Sequence, residues 1–440
     1  MASTNLTLER PVTHHRTIQI FSALLCIFVV LLPKGGIKAV GLPITWGYLV
    51  LIFSFIFCLP NRLFSYRMLY PRRLLLTLAT VASFLIPFFY SVLANGIASP
   101  PFFVSTFTNF VVLPYLFFIF YPPFLQRIDG ERFRKILVFC ILGAAIYGIA
   151  TFMLRPFTGK YVEIPFITTN SGDANLETTK NIARGNTFKL ISTYNNGNIY
   201  GVCTFILLPL FDRLVSQRWK RLTVRAAIFL TLSRSVWAGL FFEQILSMAA
   251  VFVEQARSFP RIHGKALFSR LLLLSACGVV LSVIVVWMNR DSSFIFDSQL
   301  GGRANSLSTF SYATFLPSVP VDAFFEILYA SAVYQYGYLG LFAIIAIFFG
   351  PWMVLLSDLR VLSDPYRRAA MKGLVLYSLL SFGDCAISFI PVMTFYWFAY
   401  MVFLFGFPGH LVVSSVRVKT GSSTFLNPTP GRISPVAGLS

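Results

Sequence analysis

Lys189, Arg234 and Arg303 are the side chains of this sequence whose charge most needs a chemical explanation. Arg234 sits between two apolar runs, in Thr231-Leu-Ser-Arg-Ser-Val-Trp237. A charge at such a turn costs energy unless it faces water or a partner. The other two lie in long stretches of mixed polar and aromatic residues. The stretch at about 155–198 carries Arg155, Lys160, Lys180, Arg184 and Lys189, and the one at about 290–325 carries Arg290 and Arg303. Cations converging from such segments suit an anion such as a lipid-linked pyrophosphate, which Arg grips with a bidentate fork and Lys as a point charge. Arg155, Lys160 and Lys180 read more simply as solvated loop charges; Arg234 and Arg303 do not.

Other polar groups carry weaker signals. Asn195, Asn196 and Asn198 surround Gly197. Their amides donate and accept at once, which suits sugar hydroxyls, and turn formation with Gly197 is the equal alternative. Glu243 lies inside an apolar run, Leu240-Phe-Phe-Glu-Gln244, so its burial demands a partner. A structural hydrogen-bond role and a place along a lipid path are both open for it. Asp384, in Phe382-Gly-Asp-Cys385, either orients a cation or ends a helix. The six cysteines fall in apolar runs or at their ends and read as small core hydrophobes, with no disulfide framework or zinc spacing. No Asp-x-Asp and no phosphate-cradling glycine loop occurs in the outer segments, so neither metal nor cofactor is expected.

The elements that must position these residues are membrane helices. Of 440 residues, 56% are hydrophobic and only 12% charged, about half the charge of a soluble domain. At about 20 apolar residues per span, the chain holds roughly a dozen spans. Apolar runs cover about 17–33, 40–59, 74–95, 103–122, 136–154, 199–212, 223–233, 235–253, 271–289, 327–355, 370–386 and 389–412, the short neighbouring runs forming hairpins across the membrane. Long unbroken runs exclude an outer-membrane barrel. With the N-terminus inside, the cytoplasmic loops carry 26 of the 36 Lys and Arg residues and the other side keeps 10. The positive-inside rule therefore predicts an all-α, polytopic, N-in/C-in protein with its two long loops outside. The net charge of +20 is mostly this topology signal, and no nucleic-acid partner follows from it. Residues 1–412 form the membrane domain; 413–440, rich in Ser, Gly and Pro, read as a disordered cytoplasmic tail.

Four stretches carry a family resemblance. Lys189-Leu-Ile-Ser-Thr-Tyr-Asn-Asn-Gly-Asn198, followed by Ile-Tyr-Gly201, resembles the lead-in to a span in the O-antigen polymerase and ligase superfamily. Leu232-Ser-Arg-Ser-Val-Trp237 is similar to that family's Ser-Arg-Gly-x-Trp turn. Gly301-Gly-Arg303 resembles the Gly-Arg that opens its large periplasmic loop. The segment from Glu326 through Gly337 to Gly340 resembles the return from that loop into the next span. The order and spacing match over roughly 185–345.

The resemblance implies a glycosyltransferase-C-like fold in a bacterial inner membrane with its site facing the periplasm. It also implies metal-independent transfer of a glycan chain from undecaprenyl pyrophosphate to the non-reducing end of a lipid-linked repeat unit, with a membrane chain-length regulator as a possible partner. On that basis Arg303, Arg234 and Lys189 stabilise the leaving pyrophosphate, with Arg184 as a fourth cation, and Glu326 is the general base. An ion pair with Arg303, or a cap on the following helix, is the alternative for Glu326. Two departures matter. Ligases of this superfamily have His where this chain has Glu326, and its histidines (His14, His15, His263, His410) all fall at the cytoplasmic side, which favours polymerase over ligase. The family often has Arg where this chain has Lys189, and Arg184 is placed to take over that role. A flippase for the lipid-linked oligosaccharide is the reading from another class.

Overall fold

The computed structural model describes residues 12–39, 42–63, 71–125, 127–171, 183–184, 187–257, 306–325, 327–383, 385–388 and 390–408. The protein is overwhelmingly helical, an all-α membrane protein. Helix α1 (Val12–Leu25) continues as π-helix through Leu31 and is followed by a β1–β2 hairpin, Gly36–Ala39 with Leu42–Thr45. Then come α2 (Trp46–Leu63), α3 (Pro71–Asn95), α4 (100–125, with π-helical turns at 108–112 and 116–120) and α5 (Gly130–Thr158). A short β3–β4 hairpin, Ala183–Arg184 with Thr187–Phe188, precedes α6 (Gly197–Leu214), α7 (Arg218–Phe229) and α8 (Arg234–Arg257). The last described elements are α9 (Leu328–Ser357), α10 (Pro365–Leu380) and α11 (Ile390–Phe405).

Four of these helices are long and apolar enough to cross a membrane: Arg72–Asn95, Pro100–Phe124, Gly130–Thr158 and Leu328–Ser357. Shorter apolar helices cover Thr17–Leu31, Trp46–Ile56 and Pro391–Phe405. The expected span over 271–289 lies outside the described residues. Two boundaries differ from the apolar runs. Residues 36–45 pair as a hairpin instead of opening a span at 40, because Gly35 and Gly36 pack against backbone that no Cβ could approach: a Cβ at Gly35 would lie 2.3 Å from the Ile167 carbonyl oxygen. And α7 has 12 residues, about 18 Å of rise against a hydrocarbon core of about 30 Å, so its C-terminus ends inside the bundle.

Capping residues fix several helix starts. Asp129, Asn196 and Asp364 each accept backbone N–H groups of the first turn of α5, α6 and α10, and Pro365 occupies the first turn of α10, where a missing N–H costs nothing. Helix α6 is buried on nearly every face from Ile199 to Phe211, which marks it as the centre of the bundle. Gly373 of α10 lets the two backbones meet: a Cβ there would stand 2.1 Å from the Ile206 oxygen, the close approach that small residues permit between membrane helices.

Helices α3 and α9 run antiparallel. Arg73 pairs with Asp358 at one end, while at the other Asn95 Nδ2 donates to the Pro317 carbonyl at 3.0 Å. The first π turn of α4 also has a structural use. The Asn109 carbonyl accepts the Trp397 indole N–H at 2.7 Å, and the Asn109 amide donates to the Ile387 carbonyl at 2.9 Å. A wide turn exposes backbone acceptors to neighbours in this way. The end of the bundle holding Asn95 and Pro317 is the site end, and that holding Arg73 and Asp358 the opposite end.

Candidate functional site

Residues 189–196 are the segment of irregular backbone that penetrates the bundle. The Leu190 N–H donates to the Leu230 carbonyl at 3.0 Å. The Ser192 hydroxyl donates to the Ala144 carbonyl of α5 at 2.7 Å, and the Tyr194 hydroxyl to the Val30 carbonyl of the first helix at 2.8 Å. Tyr161 donates its hydroxyl to the Lys189 carbonyl. Non-helical backbone at membrane depth is tolerated only where protein buries it or a cavity lines it. Here Leu190, Ile191, Ser192, Thr193 and Tyr194 are all buried.

Glycines make room for this segment. A Cβ on Gly148 would meet Leu190 at 2.8 Å, one on Gly197 would meet the Leu190 oxygen at 2.6 Å, and one on Gly201 would meet Val236 at 2.7 Å. The lead-in at 189–201 and the turn at 231–237 are therefore one packed unit. Strain concentrates in it too. Among the described residues four non-glycines have positive φ, and three of them are Ser192 (51°), Asn195 (56°) and Leu232 (51°). Left-handed backbone at a residue such as Leu costs roughly 1–2 kcal/mol and persists only where the surrounding structure over-determines it.

The charges follow the backbone. Lys189 is buried to 7% exposure, and Arg234 is half-buried at the first residue of α8. Trp237 holds the turn shut: its ring stacks on Phe229 at 5.1 Å and its indole N–H donates to the Phe229 carbonyl at 2.8 Å. Asn196 is the α6 cap, its Oδ1 accepting from Asn198 N at 2.9 Å and Ile199 N at 3.4 Å. Asn195 is buried in its left-handed turn. Two acceptors in the unit, Thr193 Oγ1 and Asn198 Oδ1, are buried with no protein hydrogen bond, and Thr193 is only 1% exposed. Such groups cost free energy unless water or a ligand satisfies them.

The return segment reaches the same place. Ser235 Oγ donates to the Gly383 carbonyl at 3.3 Å. The Tyr329 hydroxyl lies 3.1 Å from Ser381 Oγ and its ring 4.5 Å from that of Phe382. The turn after α10 thus touches both the Arg234 turn and the first turn of α9. Arg303, Glu326, Arg290 and Asp384 lie outside the described residues. Arg184 is described as backbone, paired with Thr187 in the hairpin that runs into Lys189.

Several charged side chains sit elsewhere than their sequence context suggests. Arg155, read as solvated, is buried to 9% exposure, its guanidinium over the ring of Phe188 and 5.4 Å from that of Tyr161. Helix α5 outlasts its apolar run by a turn and carries Arg155 under the loop. Tyr336 is fully buried, edge-on to Phe84 at 5.3 Å. The Tyr338 hydroxyl donates to the Phe310 carbonyl at 2.7 Å. Gly337 between them has φ 66°, and a Cβ there would lie 2.6 Å from the Phe315 oxygen. Arg225 and Lys372, counted among the loop cations, are inside helices and meet Glu243. Its Oε2 accepts from Arg225 at 3.0 Å and its Oε1 from Lys372 at 2.5 Å, while Arg225 also pairs with Asp212. Glu243 is thereby bound to α7 and α10 as well as its own helix. The apolar context of Glu243 states that it needs a partner; that Arg225 and Lys372 supply it is seen only in the fold.

No protein-family model matches this chain, and no curated protein matches it in sequence.

Proposed function

We propose that this chain is a membrane-embedded polysaccharide polymerase acting on lipid-linked oligosaccharide. The observation that carries the reading is the buried, strained segment bearing Lys189, hydrogen-bonded to the turn bearing Arg234 through Leu190 and Leu230. Such a pairing brings the backbone of two cation-bearing motifs together at the head of α6. In the proposed reaction an acceptor hydroxyl oxygen attacks C1 of the donor sugar. The C1–O bond to the pyrophosphate breaks and the lipid pyrophosphate leaves with the electron pair. Lys189, Arg234, Arg303 and Arg184 stabilise its charge, and Glu326 takes the hydroxyl proton. Asn195 and Asn198 contribute to sugar binding.

The chain, on this reading, crosses the inner membrane of a bacterium about twelve times, with both termini inside and the site end facing the periplasm. Arg73, Arg132, Arg134 and Arg221 at the opposite end support that orientation. A membrane-bound chain-length regulator is the partner such a polymerase would take.

A second reading, a flippase, draws on the Asp212–Arg225–Glu243–Lys372 network, since transporters place charges within their spans. Each acid and each base of this network pairs with a member of opposite charge, which favours a structural role, while Asp212 Oδ1 is buried without a hydrogen-bond partner. The deciding experiment is surface-glycan chain length in a deletion strain carrying wild type, Lys189→Ala, Arg234→Ala, Arg303→Ala or Glu326→Gln, with membrane expression measured for each. A ladder restored by wild type and collapsed to single repeat units by the Arg variants supports the polymerase. A deletion strain that shows no surface glycan at all, not even single units, overturns it in favour of the flippase.

A further inference from the structure

Helix α7 opens with Arg218-Trp219-Lys220-Arg221-Leu222 and carries Arg225 one turn further on. At about 100° per residue, Val224, Ala227 and Ile228 fall on one side of it. All three are fully buried, where α7 lies against α5 and α6. Trp219, Leu222 and Ala226 fall on the opposite side and are exposed, Trp219 to 55% and Leu222 to 66%. Arg218, Arg221 and Arg225 repeat the same spacing of three and then four residues, and so form a second row along one edge of that apolar stripe. Cations therefore run down α7 beside a face that acyl chains cover in a membrane.

The row is tied down at its inner end and open at its outer end. Arg225 is held by Asp212 and Glu243. Arg221 Nη2 donates to the Ser216 carbonyl at 2.9 Å, which holds the guanidinium at the rim of the helix. Arg218 is exposed, as is Arg213 in the last turn of α6, and the Lys220 ammonium lies 5.5 Å from the centre of the Trp219 ring. Arg134 Nη1 donates to the Leu214 carbonyl at 2.8 Å, so the start of α5 stands at the same rim. The acids there are already engaged: Asp129 with Arg132, Glu131 with Arg134 and Lys135, and Asp212 with Arg225. Among the described residues, no carboxylate forms a salt bridge with Arg213, Arg218, Lys220 or Arg221. The first turn of α7 has neither an acidic residue nor a side-chain cap, and its cations stand at the end of the helix where the peptide dipoles disfavour them.

We infer that this edge of α7 binds an anionic phospholipid from the adjoining leaflet, its phosphate on Arg218 and Arg221 and an acyl chain along Trp219, Leu222 and Ala226. The uncompensated cations select the anionic headgroup, since a zwitterionic lipid brings its own ammonium to the same place. The apolar row selects a lipid over a free phosphate ion, which has nothing to lay against Trp219 and Leu222. Tryptophan flanked by Arg and Lys is the combination that suits a membrane–water interface. The inference rests on the membrane character of the chain and not on the polymerase reading. It places this lipid at the end of the bundle away from Lys189.

The test uses the full chain in phosphatidylcholine nanodiscs doped with dibrominated phosphatidylglycerol or, in a parallel series, dibrominated phosphatidylcholine. Both quench tryptophan fluorescence on contact. The chain has six tryptophans, so the Trp219 signal is the difference between wild type and Trp219→Phe. Phosphatidylglycerol is expected to quench Trp219 at about five-fold lower mole fraction than phosphatidylcholine, the scale of one cation at an anionic surface. Arg218→Gln combined with Arg221→Gln should bring the two lipids level. Arg368→Gln, at an exposed cation in the first turn of α10 at the same end, should keep the preference. An equal loss in Arg368→Gln would assign the effect to diffuse charge and overturn the site. Equal quenching by the two lipids in the wild type overturns it as well, with no charge variant needed. Inorganic phosphate at fixed ionic strength should leave the phosphatidylglycerol quenching unchanged; relief of quenching by it makes free phosphate the ligand and overturns the lipid assignment. Glycan chain length in the deletion strain is a separate readout, so this inference and the polymerase reading can each fail alone.

Discussion

The N–H of Leu190 and the carbonyl of Leu230 meet at 3.0 Å, and this single backbone hydrogen bond ties two segments that are distant in sequence. One leads from the β3–β4 hairpin into α6 and carries Lys189; the other joins α7 to α8 and carries Arg234. Their closeness depends on Gly197, whose missing Cβ leaves room for the Leu190 oxygen at 2.6 Å and the Thr231 oxygen at 3.2 Å from where it would stand. Both neighbours are backbone and neither can swing aside.

Gly197→Ala should therefore push the two segments apart. A cost of about 1–3 kcal/mol is expected from overpacking, seen as a lower unfolding temperature of the detergent-solubilised protein. Glycan polymerisation should fall further than stability does, because the displaced groups include the Lys189 and Arg234 turns. A variant with wild-type melting and wild-type chain length would show that the two segments do not act as a unit.

Glu243→Gln removes the charge that both Arg225 and Lys372 face inside the bundle. Breaking a buried ion pair on one side costs about 3–5 kcal/mol, because the remaining charge is left uncompensated. The double variant Glu243→Gln with Lys372→Met should recover part of that loss, since it removes one of the stranded cations. Thermal unfolding of the single and double variants measures both effects. A double variant less stable than the single would contradict the pairing.

Arg155→Lys keeps the charge and loses the planar guanidinium that lies over Phe188 and near Tyr161. Arg and Lys are not equivalent at a stacked site. About 0.5–2 kcal/mol of stabilisation should go with the change, and limited proteolysis should cut faster in the 159–171 segment. Unaltered protease resistance would return Arg155 to the class of ordinary loop charges.

Acid should weaken the opposite end of the bundle first. A hydrogen bond from Arg73 is the main reason the Asp358 carboxyl titrates below its ordinary value, helped by the backbone N–H of Arg360. A carboxyl with a lower value folded than unfolded adds stability above its unfolded value, and that contribution is lost as pH falls through the folded one. Melting temperature should thus drop between neutral pH and the range below ordinary carboxylate titration. Asp358→Asn should melt lower than wild type at neutral pH and show a smaller drop. An equal pH dependence in wild type and Asp358→Asn would rule the pair out as a contributor.

The sequence by itself determined the helical membrane character, since long apolar runs and a scarcity of charge are local properties that no partner can change. It also marked Lys189, Arg234 and the Asn195–Asn198 cluster as unusual, because their types clash with the apolar runs beside them. A turn at Gly197 was one of the two readings the asparagines allowed; the Asn196 cap on α6 came from the structure. What only the tertiary structure decided is which distant groups meet. Helical periodicity states that a face is buried and says nothing of what buries it. The pairing of Glu243 with Arg225 and Lys372, the burial of Arg155 under Phe188, and the tether from Tyr194 to Val30 each join residues on different helices or loops. The hairpin at 36–45 eluded the apolar pattern because Leu42-Pro-Ile-Thr45 is as hydrophobic as a span start, and its strand form follows from pairing with β1 and from the backbone at Ile167 and Asn170. Partner choice comes from packing geometry summed over the whole bundle, and for that reason it is written in no single segment.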